Sequence, residues 1–136
     1  MTKATVTITA KTWDESRDGE VDAHHAIAQA KFTTEWAGDI TGTSTCWLLI
    51  SYVGGEADKP ETLTGPYVGY DLVRASIGDR TGTFVLAATG AHTDSVARTS
   101  VQIVPGSGTG DLEGITGSGS YAADAMEYTL DLDYEL

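Results

Sequence analysis

Met126-Glu127-Tyr128-Thr129-Leu130-Asp131-Leu132-Asp133-Tyr134-Glu135-Leu136 alternates, without a break, between apolar or aromatic side chains and polar or acidic ones. Successive side chains of an extended chain point to opposite sides, so this period of two predicts a strand with one greasy face and one acidic face. Shorter stretches of the same kind predict strands at Ala4 to Trp13, Ile27 to Trp36, Thr43 to Val53, Tyr67 to Ile77, Thr83 to Thr89 and Ala97 to Val104. These runs are rich in Val, Ile, Thr, Tyr and Trp, whose branched or flat side chains suit a pleated surface. Helical periodicity is nearly absent. The one helix candidate, Asp22 to Ala30, runs into the alternating Ala28, Ala30, Phe32, Thr34 and Trp36 and reads mostly as strand.

Between the runs, Gly-Asp-x-x-Gly recurs as Gly38-Asp39-Ile40-Thr41-Gly42, Gly78-Asp79-Arg80-Thr81-Gly82 and Gly110-Asp111-Leu112-Glu113-Gly114. Glycine supplies positive φ and aspartate caps its own backbone, so each marks a turn and the first two predict hairpins. The irregular spacing excludes a solenoid or propeller repeat. About seven strands joined by short hairpins leave two open edges unless the sheet closes on itself. The expected fold is therefore all-β: one small, closed antiparallel β-barrel occupying residues 1–136 as a single domain.

The chain carries 20 Asp and Glu against 8 Lys and Arg, a net charge of -12. Nucleic acid is held by clustered cations, whereas here the eight are scattered and none lies beyond Arg98. Nucleic acid is thus not an expected partner, and the acidic C-terminal stretch reads as a solvated face. Cys46 is alone, so no intrachain disulfide is possible. The N-terminus lacks an apolar signal region and no run is long enough to span a bilayer, which predicts a cytoplasmic chain without a membrane partner.

A barrel of this strand number encloses either packed side chains or one small ligand. Trp36, Trp47, Tyr52, Tyr67, Tyr70, Tyr128 and Tyr134 fall on or beside strands. Each either fills the core or lines a lumen where a ring face and a hydroxyl can orient a ligand. Asp71 sits within a strand rather than a turn. Facing inward it would be desolvated and suited to acid or base work; facing outward it is an ordinary surface charge. Glu35 and the row Arg98, Ser100 and Gln102 read as solvent-facing. His24 and His25 point to opposite sides of an extended chain, and no Cys or His follows at ligand spacing, so no metal and no cofactor are expected. No Gly-x-Ser-x-Gly elbow supports a serine nucleophile. Gly106-Ser107-Gly108-Thr109-Gly110 lacks the Lys-Ser or Lys-Thr of a phosphate loop and reads as a turn.

Trp13-Asp14-Glu15, Gly38-Asp39-Ile40-Thr41-Gly42, Asp79-Arg80-Thr81-Gly82-Thr83-Phe84-Val85-Leu86 and the loop from Val104 to Gly119 together resemble the domain of unknown function 3224 family over nearly the whole chain. The resemblance implies an allene oxide cyclase-like, calycin-like (lipocalin-like) barrel, in agreement with the strand count. Where relatives read Phe-Val-Gly-Leu-Glu-Arg, this chain has Tyr67-Val68-Gly69-Tyr70-Asp71-Leu72; where they read Val-Leu-Gln-His, it has Val85-Leu86-Ala87-Ala88. If these positions line the cup, its interior is more apolar than is usual, and Leu72 and Ala88 join Trp36, Trp47, Tyr52, Tyr67 and Tyr134 as candidate ligand contacts.

The resemblance to cyclase barrels implies a small-molecule ligand, apolar or unsaturated and natural-product-like, whose cyclisation or isomerisation is steered by shape. Asp71, Tyr70 and Tyr128 are the candidate catalytic groups, hydrogen-bonding to a polarised oxygen. Two other readings stand beside it: an aspartic-type hydrolase or peptidase using paired carboxyls, and a carrier that converts nothing. Barrels of this type often assemble, so a homo-oligomer is expected.

Overall fold

The computed structural model of the chain describes residues Met1–Leu136. Its strands are β1 (Thr2–Glu20), β2 (Ala26–Gly38), β3 (Thr41–Tyr52), β4 (Gly54–Glu56), β5 (Lys59–Ile77), β6 (Arg80–Thr93), β7 (Val96–Ile103), β8 (Thr116–Ala123) and β9 (Glu127–Glu135), with one 3-10 turn at Gly110–Leu112. They pair in the order β3-β2-β1-β9-β8-β7-β6-β5-β4, and β3 also pairs with β5. That additional pairing joins the ends of the row, all ladders are antiparallel, and β4 remains a short flap on β5. A closed, up-and-down, eight-stranded barrel results, in which the expected first and last strands, β1 and β9, pair from Thr2↔Tyr134 to Thr9↔Glu127. No helix is long and apolar enough to cross a membrane.

The expected count of about seven strands omitted β8. Its sequence, Thr116-Gly117-Ser118-Gly119-Ser120-Tyr121-Ala122-Ala123, has the composition of a loop. It pairs nonetheless, because β9 runs very close beside it: a Cβ on Gly119 would lie 2.2 Å from the Asp131 carbonyl oxygen. Residues 22–25 form a turn rather than a helix, and strand β2 starts at Ala26.

One end of the barrel is filled. Val6, Ile8, Trp36, Val73, Phe84, Leu86, Ile103, Leu130 and Leu132 point inward from the staves, and Ile40, Leu112 and Ile115 close that end from the connections; all are nearly or fully buried. Burying apolar surface at roughly 25 cal/mol per Å² is what holds such a core together. The third Gly-Asp-x-x-Gly is therefore more than a turn, because it carries the plug. The segment is tied to β6 by Thr109 N–H donating to Thr83 O at 2.8 Å, by Thr81 N–H donating to Asp111 Oδ2 at 3.1 Å and by Val85 N–H donating to Ser107 Oγ at 3.0 Å.

The other end stays open because small residues replace large ones. Ala26, Ala28 and Ala30 of β2 face inward with Ile50, Tyr52 and Tyr67 as a second, smaller cluster. In β1 the register shifts between Ala10 and Thr12. Such a bulge inserts one residue and reverses which side chains face the core. Beyond it Trp13 pairs opposite Phe32 and Glu15 opposite Ala30, so both turn inward.

Candidate functional site at the open end of the barrel

The open end holds a cavity of about 490 Å³, inside the range of about 300–1,000 Å³ usual for small-molecule sites. Its wall is formed by Trp13, Glu15, Phe32, Leu48, Ile50, Tyr52, Leu63, Tyr67, His92, Ala97, Tyr121 and Tyr128, and its rim includes Pro60, Ser95 and Asp124 to Met126. Two pairs of rings stand in it. Trp13 stacks on Phe32 with centroids 4.9 Å apart, and Tyr121 stacks on Tyr128 at 4.7 Å. Flat, rigid rings of this kind hold a ligand at small entropic cost.

Polar groups are few and held in place. The Tyr52 hydroxyl donates to Glu15 Oε2 at 2.8 Å and Trp13 Nε1–H to Glu15 Oε1 at 3.1 Å, while the Arg17 guanidinium lies over the Tyr52 ring at 5.3 Å. The Tyr67 hydroxyl shares a hydrogen bond with Thr99 Oγ1 at 2.6 Å, and the His92 Nδ1–H donates to the Leu63 carbonyl. Burial raises the Tyr52, Tyr67, Tyr121 and Tyr128 phenols above their ordinary range; the neighbouring Glu15 adds to this at Tyr52 and Asp71 at Tyr128. All four thus act as neutral hydroxyls.

Asp71 lies deeper. It faces inward between Cys46 and Leu86, its ladder partners on either side. Desolvation lifts its carboxyl to about 6, and hydrogen bonding from Ser44 offsets part of the rise. Its Oδ1 is out of solvent with no hydrogen-bond partner, a condition that costs free energy and is often found where a group is kept for chemistry. Beside it the Thr34 and Ser44 hydroxyls bond each other and Trp36 Nε1–H donates to Thr34. Burial, followed by Asp71, holds the Cys46 thiol far above its usual range, so it is inert as a nucleophile.

The side chains singled out from sequence separate into three places. Tyr52, Tyr67 and Tyr128 line the cavity, with Asp71 beneath. Trp36 and Ala88 are buried in the filled end, and Tyr134 packs against it. Trp47, Tyr70 and Leu72 are on the outer surface, Tyr70 being 60% and Trp47 46% exposed. They alternate with the inward Cys46, Asp71 and Val73, so strand parity removes them from the lumen. Leu72 in place of arginine consequently changes the exterior, whereas Ala88 in place of histidine does face inward. Glu35 is exposed, with Lys11 Nζ 3.4 Å from its carboxylate, and Arg98, Ser100 and Gln102 also face solvent. Burial and the Ser44 hydroxyl are what shift the Asp71 carboxyl. No group of three or more His, Cys, Asp or Glu converges as a metal site.

Trp13, Glu15, Phe32, Tyr121 and Met126 were not legible as site residues. The one available signal was Trp13-Asp14-Glu15, a family motif in a strand whose alternation breaks at Lys11.

A closed antiparallel barrel filled at one end and hollowed at the other into an aromatic-walled cup is a calycin-type architecture. Within it, the chain belongs to the family described as "Protein of unknown function (DUF3224)", whose model matches residues 4–134. The crystal structure of a DUF3224 protein of unknown function from Shewanella oneidensis MR-1 superposes with a TM-score of 0.74 at 19% identity, over 100% of this chain and 98% of that one. A protein named pyocyanin demethylase superposes with a TM-score of 0.55 at 12% identity, over 98% of this chain and 100% of that one. No curated protein matches the chain in sequence.

Proposed function

We propose that the protein binds one small, flat, largely apolar or unsaturated molecule in the open end of the barrel and, without a cofactor, steers its isomerisation or cyclisation. The observation that carries this reading is the 490 Å³ cavity walled by two stacked ring pairs. A ligand slotted between them gains apolar burial and a fixed orientation, which is most of what positioning catalysis requires. The name of the structural neighbour pyocyanin demethylase also associates a barrel of this shape with small-molecule chemistry. Tyr128 is the hydroxyl we assign to a polarised oxygen of the ligand. Asp71, beneath it, is the group we assign to hold or move a proton.

The test is a titration with N-phenylnaphthylamine, a neutral apolar fluorophore that brightens on leaving water. One saturable site is expected, lost on filling the cavity with Ala123→Trp and weakened about tenfold or more by Trp13→Ala. Unsaturable or absent binding by the folded protein would remove the proposal. Chromatography of unsaturated ketones after incubation then separates the two modes. Conversion abolished by Asp71→Asn supports catalysis, and retention without conversion makes the barrel a carrier.

A further inference from the structure

The charges around the cup select its ligand. We propose that the open end takes a flat organic cation, an aromatic or conjugated body carrying one protonated nitrogen, in preference to neutral or anionic molecules of the same shape; this rests on the reading of the cavity as a ligand site. The only carboxylates in its lining are Glu15 and Asp124, and no Lys or Arg lines it. Glu15 accepts hydrogen bonds from two neutral donors, Tyr52 and Trp13, and neither it nor Asp124 is in an ion pair. Arg17, outside the lining, lies over the Tyr52 ring with Nε 3.3 Å from Glu20, and its Nη1 is buried without a hydrogen-bond partner. The negative ring faces of Trp13, Phe32 and the two stacked tyrosines attract a cation further. A lumen with low-dielectric walls focuses the field of a chain of net charge -12.

Three anthracenes of nearly one shape test this: aminomethyl-, hydroxymethyl- and carboxyanthracene, titrated by fluorescence into the intact protein. The ammonium form is expected to bind about tenfold more tightly than the alcohol, with the carboxylate weakest. Glu15→Gln, checked for folding by circular dichroism, should cut the preference, read as the ratio of the alcohol's Kd to the ammonium's, to about threefold or less. Glu113→Gln, the same loss of charge at the filled end, should leave the preference intact. Equal binding of ammonium and alcohol, or equal effects of the two variants, overturns the cation preference while the cavity stands as a ligand site. Failure of all three probes overturns both.

The outside of the barrel independently carries a second inference. Trp47 pairs opposite Tyr70, and Leu49 opposite Val68, and all four are about half exposed. Along the outer faces of β3, residues 66–77 of β5, β6 and β7 there is no carboxylate; the one acid in those stretches, Asp71, points inward. Cations flank the patch, with Lys31 Nζ 5.7 Å over the Trp47 ring. The acids Glu127, Asp131, Asp133 and Glu135 are gathered on β9 instead. We infer that a second copy of this chain covers the acid-free face. It is the one side on which two molecules of charge -12 meet without facing carboxylates, and four strands at about 4.8 Å spacing give it the breadth of a standard interface of about 800 Å² per partner. Sedimentation should give a multiple of the 14.3 kDa chain mass, and the single chain mass for Trp47→Glu with Tyr70→Glu, their barrel spectrum retained. A monomeric wild type at about 100 μM, far above the Kd of a stable interface, or an assembly indifferent to both substitutions, overturns it.

Discussion

Asp71 is the least comfortable residue in the barrel. Its carboxyl is lifted from an ordinary 3.8 to about 6 by burial, so the folded protein binds its proton more tightly than the unfolded chain does. Stability from this group is therefore full below about pH 4 and falls as pH rises through 6, by roughly 3 kcal/mol in all. Asp71→Asn should be more stable than wild type at pH 8 by about that amount, the difference shrinking to near zero at pH 4, as urea melts across the range would show. A variant less stable than wild type at pH 8 would mean that the carboxylate has a favourable partner there. The direction of Asp71 was not legible in the sequence for a physical reason: the opposite face of its strand, Val68, Tyr70 and Leu72, is apolar too. When both faces are greasy, a period of two says that there is a strand but not which side is in.

At the scale of elements, closure depends on the seam between β3 and β5, where residues 41–50 pair with 67–76. Gly69 allows it: a Cβ there would lie 1.9 Å from the Trp47 carbonyl oxygen and 2.9 Å from Leu48 Cα, both backbone atoms that cannot swing aside. Gly69→Ala should cost about 2 kcal/mol or more and speed hydrogen exchange of amides along β3 and β5 while those of β1 and β9 change less. A neutral substitution would show the seam to be looser than described. The alternation of β9 and the hairpins after β2 and β5 were readable because each obeys one simple period or turn rule. The bulge in β1 was not, since an inserted residue leaves composition unchanged while reversing the facing of Trp13 and Glu15. Nor was β8, whose Gly117 and Gly119 are required by the nearness of β9 yet resemble a linker.

For the molecule as a whole, closure followed from counting edges, because a row of short antiparallel strands has one common way of satisfying its outer backbone groups. The cavity followed from no such rule, since it is set by where large side chains are lacking. Alanines 26, 28 and 30 leave room at one end, while Ile40, Leu112 and Ile115 fill the other. The charge map is likewise a property of the closed cylinder, which brings acid-free strands together on one flank.

The plug carried by the Gly110 segment has a kinetic corollary. With that end sealed, whatever enters must leave by the same doorway, so guest and departing product compete for one passage. On the catalytic reading proposed above, product should accordingly inhibit as a simple rival of the incoming molecule, with turnover no faster than the vacating of the cup.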